Sequence, residues 1–187
     1  MTDVFELIKE NRSFRRFSQE KSPAESELLH MIDAARLSPS AGNLQRLRFT
    51  PVFKTEECRA VFDTLAFAAY FGGWRPREDE APTAYIVIFA ENEPDTNLAI
   101  DAGIASQSIL LTARAMGYGG CIFRSINKPA LISRLGKDGF VPVVVIALGT
   151  PSENVRITAP EDGSLKYYRD SSDTHCVPKK SLAEIII

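Results

Sequence analysis

Residues 141–148 read Val-Pro-Val-Val-Val-Ile-Ala-Leu, a stretch without a single polar side chain. A strand of that composition has no face to offer to water, so it predicts a central position in a sheet. A second strand is predicted from Ala84 to Ala90, where β-branched and aromatic residues dominate. Between the two lies the longest predicted helix, Thr96 to Met116, ended by Gly117. It is apolar nearly all round, and the small residues Ala99, Ala102, Gly103, Ala105 and Ser106 permit close approach of a neighbour. Such a helix belongs in a core or a subunit interface.

The remaining elements follow from caps and periodicity. Asp3 caps a first helix with Val4, Phe5, Leu7 and Ile8 on one face, ending near Asn11. Ser22 as N-cap, Pro23 at the first helical position and Glu25 completing a capping box open a second helix. Its apolar face is Leu28, Leu29, Ile32 and Ala35, and Ser38-Pro39 stops it. Arg48 to Lys54 predicts a strand in which Pro51 marks an edge or a bulge. Thr55 caps a third helix with the stripe Cys58, Val61, Phe62, Leu65, Ala66 and Ala69, and Phe71 to Pro82 reads as a mobile excursion. A strand follows Gly119-Gly120 at Cys121 to Phe123, and Asn127 opens a short helix ended by Gly136. From Thr150 the chain turns polar until Ser181, which with Glu184 forms a last capping box before three terminal isoleucines. Leaving an isoleucine exposed forfeits roughly 1.5–3 kcal/mol. Residues 152–187 are therefore expected to be an arm, too short for a core of its own, that docks across the body or onto a second subunit. The whole of 1–187 reads as one domain.

Composition narrows the function. The 22 basic and 24 acidic side chains leave a net charge of −2, so no global field draws the chain to nucleic acid or an anionic membrane. No apolar stretch approaches the roughly 20 residues of a membrane span. Met1-Thr2-Asp3 leads into no secretory signal, and three cysteines without metal or redox spacing suit a reducing cytoplasm. With two histidines, a histidine-rich metal centre is excluded and no metal site is expected; His175-Cys176 sit in a polar segment that predicts a loop. No protein nucleophile is expected. One basic concentration remains: Asn11-Arg12-Ser13-Phe14-Arg15-Arg16-Phe17 places three arginines within five residues, beside a hydroxyl. Guanidinium groups so placed hold a phosphate or another planar anion. The alternative is a solvated basic turn.

Four polar or glycine-bearing stretches separate the regular elements, at 11–16, 38–45, 119–125 and 179–180. Their order resembles the flavin-dependent nitroreductase family at its short end. The basic-Ser-x-basic element is Arg12 to Phe17, and the Ser-Pro-Ser-x-x-Asn-x-Gln turn is Ser38 to Gln45. The Gly-Ile-Ala-x-Gln helix ending in Gly-x-Gly is Gly103 to Gly119, and Leu-Gly-x-Pro is Leu148 to Pro151. The tail Val177-Pro178-Lys179-Lys180, then Leu182 and Ile185, matches the short members. Two positions depart from the pattern: Asn11 stands where an arginine is frequent, and Arg46-Leu47 replace the usual Pro-Trp.

The resemblance implies an α+β fold, a three-layer α/β/α sandwich with a mixed, mostly antiparallel sheet, in an intertwined homodimer. It implies FMN, with NADH or NADPH as reductant. By resemblance Arg12, Ser13 and Arg15 divide the FMN phosphate and pyrimidine edge between them, while Arg16 is a solvated neighbour. Ser40, Ala41 and Asn43 line the ring and ribityl chain. Ile122, Phe123, Arg124 and Ser125 run beside the ring, with the Arg124 amide near flavin N5. Lys179 or Lys180 adds charge at the phosphate. Phe71 and Trp74 fall in the variable region that covers the pocket, where Trp74 reads either as a lid residue or as packed core. The implied activity is ping-pong hydride transfer to a nitroaromatic, a quinone or another small electron-poor acceptor, with no catalytic side chain. The rivals are a specialised reductase on the same fold, dehalogenase-like or flavin-cleaving, a non-catalytic flavin-binding or sensing protein, and a flavin-free anion or nucleotide binder.

Overall fold

The structure, a computed structural model, describes residues 3–187, and its centre is the apolar stretch at 141–148. In chain order the helices and strands are α1 (Val4–Glu10), β1 (Phe17–Ser18), α2 (Glu25–Arg36), β2 (Leu47–Val52), α3 (Thr55–Phe62) and β3 (Ala84–Ala90). Then come α4 (Thr96–Ala115), β4 (Gly119–Phe123), α5 (Lys128–Leu135), β5 (Val141–Pro151), β6 (Val155–Thr158), β7 (Tyr168–Arg169) and β8 (His175–Pro178). Strand β5 is the hub of a five-stranded sheet: β3 pairs along one side, β4 along the other, and β1 joins its last residues. Strand β2 lies outside β3, so Pro51 falls on an edge strand as its missing N–H requires. These ladders are antiparallel, whereas a second, three-stranded sheet pairs β6 with β8 in parallel.

Alternation along the strands divides the core into two layers. Ala84, Ile86 and Ile88 of β3 face α2 and α4, where they meet Leu28, Met31, Ala35, Ala105 and Ile109. Tyr85, Val87 and Phe89 face the other way, onto Val61 and Phe62 of α3 and Leu131 of α5. Val144 and Ile146 of β5 share the first face, and Val145 and Ala147 the second. The result is an α+β fold with a sheet between two helical layers.

Some local expectations fail for identifiable reasons. Helix α2 takes Ala24 as its N-cap, because Glu27 accepts the Ala24 N–H at 2.8 Å while the Ser22 hydroxyl donates to Thr83 O at 3.1 Å. Its buried face runs Leu28, Met31, Ala35, and Leu29 is exposed. Helix α3 stops at Phe62 and does not reach Ala69. Past it the Thr64 hydroxyl donates to Val61 O at 2.7 Å and the Ala66 N–H turns to Ser125 O at 3.0 Å. The stretch 71–82 is irregular apart from turns of 3-10 helix at Ala69–Phe71 and Glu78–Glu80. His175 and Cys176 lie in β8 and not in a loop; both are buried, since β8 is the middle strand of the small sheet.

Two apolar surfaces stay uncovered within one chain. Helix α1 buries none of its residues, with Val4, Phe5 and Ile8 exposed, and Ile185, Ile186 and Ile187 are exposed at the tail. Among the described residues no helix is long and apolar enough to cross a membrane. Met1 and Thr2, part of the N-terminal signal reading, lie outside the described residues.

Candidate functional site

The basic run leaves α1 and is laid along the start of β4. Ser13 bridges Gly120, and the Phe14 N–H donates to Gly120 O at 3.0 Å. The two aromatics of the run fill space that only glycine leaves: a Cβ on Gly119 would lie 2.5 Å from the Phe14 ring, and one on Gly149 2.8 Å from Phe17. Phe14 and Phe17 are both buried and bracket Arg15 and Arg16.

The three arginines then separate. Arg12 is half-buried; its Nη2 donates to Ile8 O at 2.7 Å, its buried Nε has no partner among the described residues, and burial lowers its pKa. Arg15 donates to Ser13 O at 3.2 Å and lies over the Tyr167 ring, 4.9 Å from its centroid. Among the described residues neither guanidinium meets a carboxylate. Arg16 does: it pairs with Asp173 and, at 3.7 Å, with Glu80, and it covers Trp74 at 5.5 Å. Its side chain is only 19% exposed, so the solvated neighbour expected from sequence is an internal ion-paired residue.

Glu153, whose side chain is 1% exposed, lies behind this turn. Its Oε1 accepts the backbone N–H of both Arg15 and Arg16, the latter at 3.1 Å, and its Oε2 pairs with Arg169. Arg169 in turn stacks over Phe71 and Trp74, 5.8 and 5.6 Å from the ring centroids. Phe71, Tyr167 and His175 pack together with centroids 5.1–5.7 Å apart. His175 is fully buried, and among the described residues neither ring nitrogen has a partner. Burial, reinforced by the nearby Arg15 charge, pushes its pKa down to about 4. Phe71 and Trp74 thus belong to an aromatic group interleaved with arginines, and Trp74 is half-buried between Arg16 and Arg169.

The turn at 38–45 is held separately, on α4. Ser38 Oγ meets Ser108 Oγ at 2.7 Å, and the Ala41 N–H donates to Asp101 Oδ1 at 2.9 Å. Asp101 is 3% exposed, and its Oδ2 has no partner among the described residues. Gly42, Asn43 and Gln45 have φ of 56°, 54° and 49°, a left-handed conformation costly for the two non-glycine residues. Ser40 and Ala41 are half-buried, Asn43 is exposed, and Ser40, Gln45, Arg46 and Asp101 line a cavity of about 250 Å³. Arg46, the departure from the family pattern, forms a bidentate pair with Asp95 at 2.8 and 3.0 Å. That pair, with the Leu98 N–H, holds the Asp95 carboxyl down at about 2.

The third stretch continues β4 away from Gly120, so it is adjacent to the arginine turn. Ile122, Arg124 and Ser125 are exposed along it and Phe123 is buried. Lys179 and Lys180 are not brought to the turn within the chain. They are exposed beyond β8, and among the described residues their side chains make no hydrogen bond or ion pair; only the Lys179 N–H is engaged, with Thr158 O at 2.9 Å. Burial pushes the Cys58 thiol up to about 12 and raises that of Cys121. Sequence reasoning missed Asp101, Glu153, Tyr167 and Arg169. The one available signal was a carboxylate two residues beyond the matched Leu148–Pro151 element.

Residues 8–150 match the model of the Nitroreductase family. The CLA biosynthesis enone reductase of Lactiplantibacillus plantarum is 26% identical over 189 residues, covering 81% of this chain and 87% of that protein. A Methanothermobacter thermautotrophicus protein provisionally named NADH dehydrogenase/NAD(P)H nitroreductase is 31% identical over 160 residues, with 81% and 79% covered. A crystal structure of a provisionally named nitroreductase from Exiguobacterium sibiricum, in complex with FMN, superposes with a TM-score of 0.67 at 22% identity, covering 82% of this chain and 90% of that one.

Proposed function

The chain belongs to the nitroreductase family, and we propose that it is an NAD(P)H-dependent oxidoreductase that holds FMN against the turn at 12–15 and reduces a small electron-poor acceptor. The observation that carries this is the unequal pairing of three neighbouring arginines. Arg16 is neutralised by Glu80 and Asp173, whereas Arg12 and Arg15 have no carboxylate among the described residues. Among the described residues the buried Nε of Arg12 finds no hydrogen-bond acceptor, and neither does that of Arg16, so the distinction between them rests on the carboxylates that reach Arg16 alone. A phosphate and the N1–O2 edge of a flavin are acceptors of the right charge, and a hydrogen bond to a charged group contributes about 1.5–3 kcal/mol. The bound Exiguobacterium relative supports the identity of the group.

In this reading Arg12, Ser13 and Arg15 grip the phosphate and pyrimidine edge. Ser40, Ala41 and Asn43 line the ring and ribityl chain, and the backbone from Ile122 to Ser125 runs beside the ring. FMN, when bound, supplies hydride acceptance and electron donation at its ring. The chain supplies orientation, a positive environment that favours the reduced form, and shelter from water. Lys179 and Lys180 make no contact with the arginine turn of their own chain, so they serve the phosphate from a second subunit. A homodimer also covers the apolar face of α1 and the terminal isoleucines. Phe71 and Trp74 border the acceptor side. The acceptor is a quinone, a nitroaromatic or an activated alkene of the kind named for the Lactiplantibacillus relative. The three unpaired, buried thiols are consistent with a cytoplasmic setting.

The test is a purified preparation examined by absorbance and then titrated anaerobically with NADH and with NADPH. A yellow protein bleached by one of them, and reoxidised by one acceptor of a quinone, nitro and enone panel, is expected. A colourless protein that rejects added FMN contradicts the proposal, and a yellow protein that neither nucleotide bleaches points to a flavin-binding protein without reductase activity.

A further inference from the structure

We propose that Glu153 is a positioning residue for the cofactor: its buried carboxylate fixes the direction in which Arg15 leaves the backbone and so sets the flavin-facing half of the turn. The assignment rests on the FMN reading above. A carboxylate with 1% exposure is costly to bury unless nearly every lone pair is met. Here it meets the successive N–H groups of Arg15 and Arg16 at Oε1 and the Arg169 guanidinium at Oε2. Two consecutive amides aimed at one oxygen form a small anion-binding nest, which fixes the backbone of both residues.

The contact is reciprocal. Ser152, the preceding residue, donates its N–H to Arg16 O at 3.1 Å, so residues 152–153 grip the backbone of 15–16 from both sides. With the backbone held, the side chains of the pair diverge. Arg16 turns to Glu80, Asp173 and Trp74, and Arg15 to Ser13 O and the face of Tyr167. Arg15 thereby reaches the site already oriented, and less conformational freedom is lost when an anion docks. Glu153 itself has no free oxygen for a ligand, so its action is through Arg15.

Removing the charge alone would leave Arg169 with only the exposed Asp173 as counter-charge, so the test uses paired variants. E153A/R169M removes the amide clamp and the ion pair together. E153Q/R169M removes the ion pair but keeps an amide oxygen for the Arg15 and Arg16 N–H groups. FMN affinity is measured by fluorescence titration of the apo-protein, and hydrogen exchange follows the amides of residues 15 and 16. E153Q/R169M should bind FMN within about threefold of the wild type, and E153A/R169M at least about tenfold more weakly, with exchange protection at 15–16 lost only in the latter. Equal affinity of the two variants, or wild-type amides at 15–16 without protection, overturns the assignment. A wild-type protein that takes up no FMN while the protection difference persists overturns the functional reading, and with it the cofactor part of this assignment, but leaves the clamp standing.

Discussion

The turn at 12–16 and the turn at 38–45 carry the proposed cofactor contacts, and each is tied to the body through a buried carboxylate. Glu153 holds the first and Asp101 the second. Their situations differ. Glu153 comes from 137 residues away, accepts two backbone N–H groups and has a partly buried counter-ion in Arg169. Among the described residues Asp101 accepts one N–H, makes no ion pair and leaves Oδ2 unpartnered, and it rides on the long helix α4. The first turn is thus held by charge and by the C-terminal segment, the second by a rigid helix and its own left-handed backbone. Damage to charge should therefore fall mainly on the first.

The largest difference is expected from alanine. Glu153→Ala strips the Arg15 and Arg16 N–H groups of their acceptor and leaves the partly buried Arg169 only the exposed Asp173, 3.4 Å away, as counter-charge; it should cost about 3–4 kcal/mol in urea unfolding. Next is acid. The folded-state pKa of His175, near 4, is depressed below its ordinary 6.5. Between those values the unfolded chain binds the extra proton, so stability falls as pH drops from about 6.5 to 4 and is steady above. The groups facing the imidazole are Arg15, Arg169, Glu153, Phe71 and Tyr167. The loss should amount to about 2–3 kcal/mol over that window, and a His175→Phe variant should flatten this part of the profile. Asp101→Ala should cost less, about 1–2 kcal/mol, and Asp101→Asn less than about 1 kcal/mol because Oδ1 survives as acceptor. Equal losses at Glu153 and Asp101 would put the two turns in one class. The smallest effect is at Arg46→Ala, whose partner Asp95 is largely exposed: about 0.2–1 kcal/mol.

The two turns also differ in how far they could be read from sequence. Ser38 to Gln45 declares itself through turn residues and flanking helix signals, which are local. The core was legible for a similar reason. Residues 84–90 and 141–148 bury both faces, so composition alone marks them as strands covered on both sides. The sheet's centre at β5 follows from that. Pairing across the chain was not legible. Arg16 looks like any solvated arginine until Asp173, 157 residues later, is folded against it. His175-Cys176 looked like a loop because polar neighbours hide a two-sided strand in a small sheet. Ser22 looked like a cap because its competing acceptor, Thr83 O, belongs to a distant segment. The residues proposed to bind the anion stand out by motif and composition; the carboxylate that meets their backbone is visible only in space.

The most direct measurement is FMN affinity in the wild type, in R12A/R15A and in R16A, alongside far-UV circular dichroism. The wild type should bind FMN, R12A/R15A should bind it at least about 100-fold more weakly with its secondary structure intact, and R16A should stay within about threefold of the wild type. Undiminished binding by R12A/R15A, or an equal loss in R16A, would contradict the assignment of Arg12 and Arg15 as the arginines kept free for the cofactor.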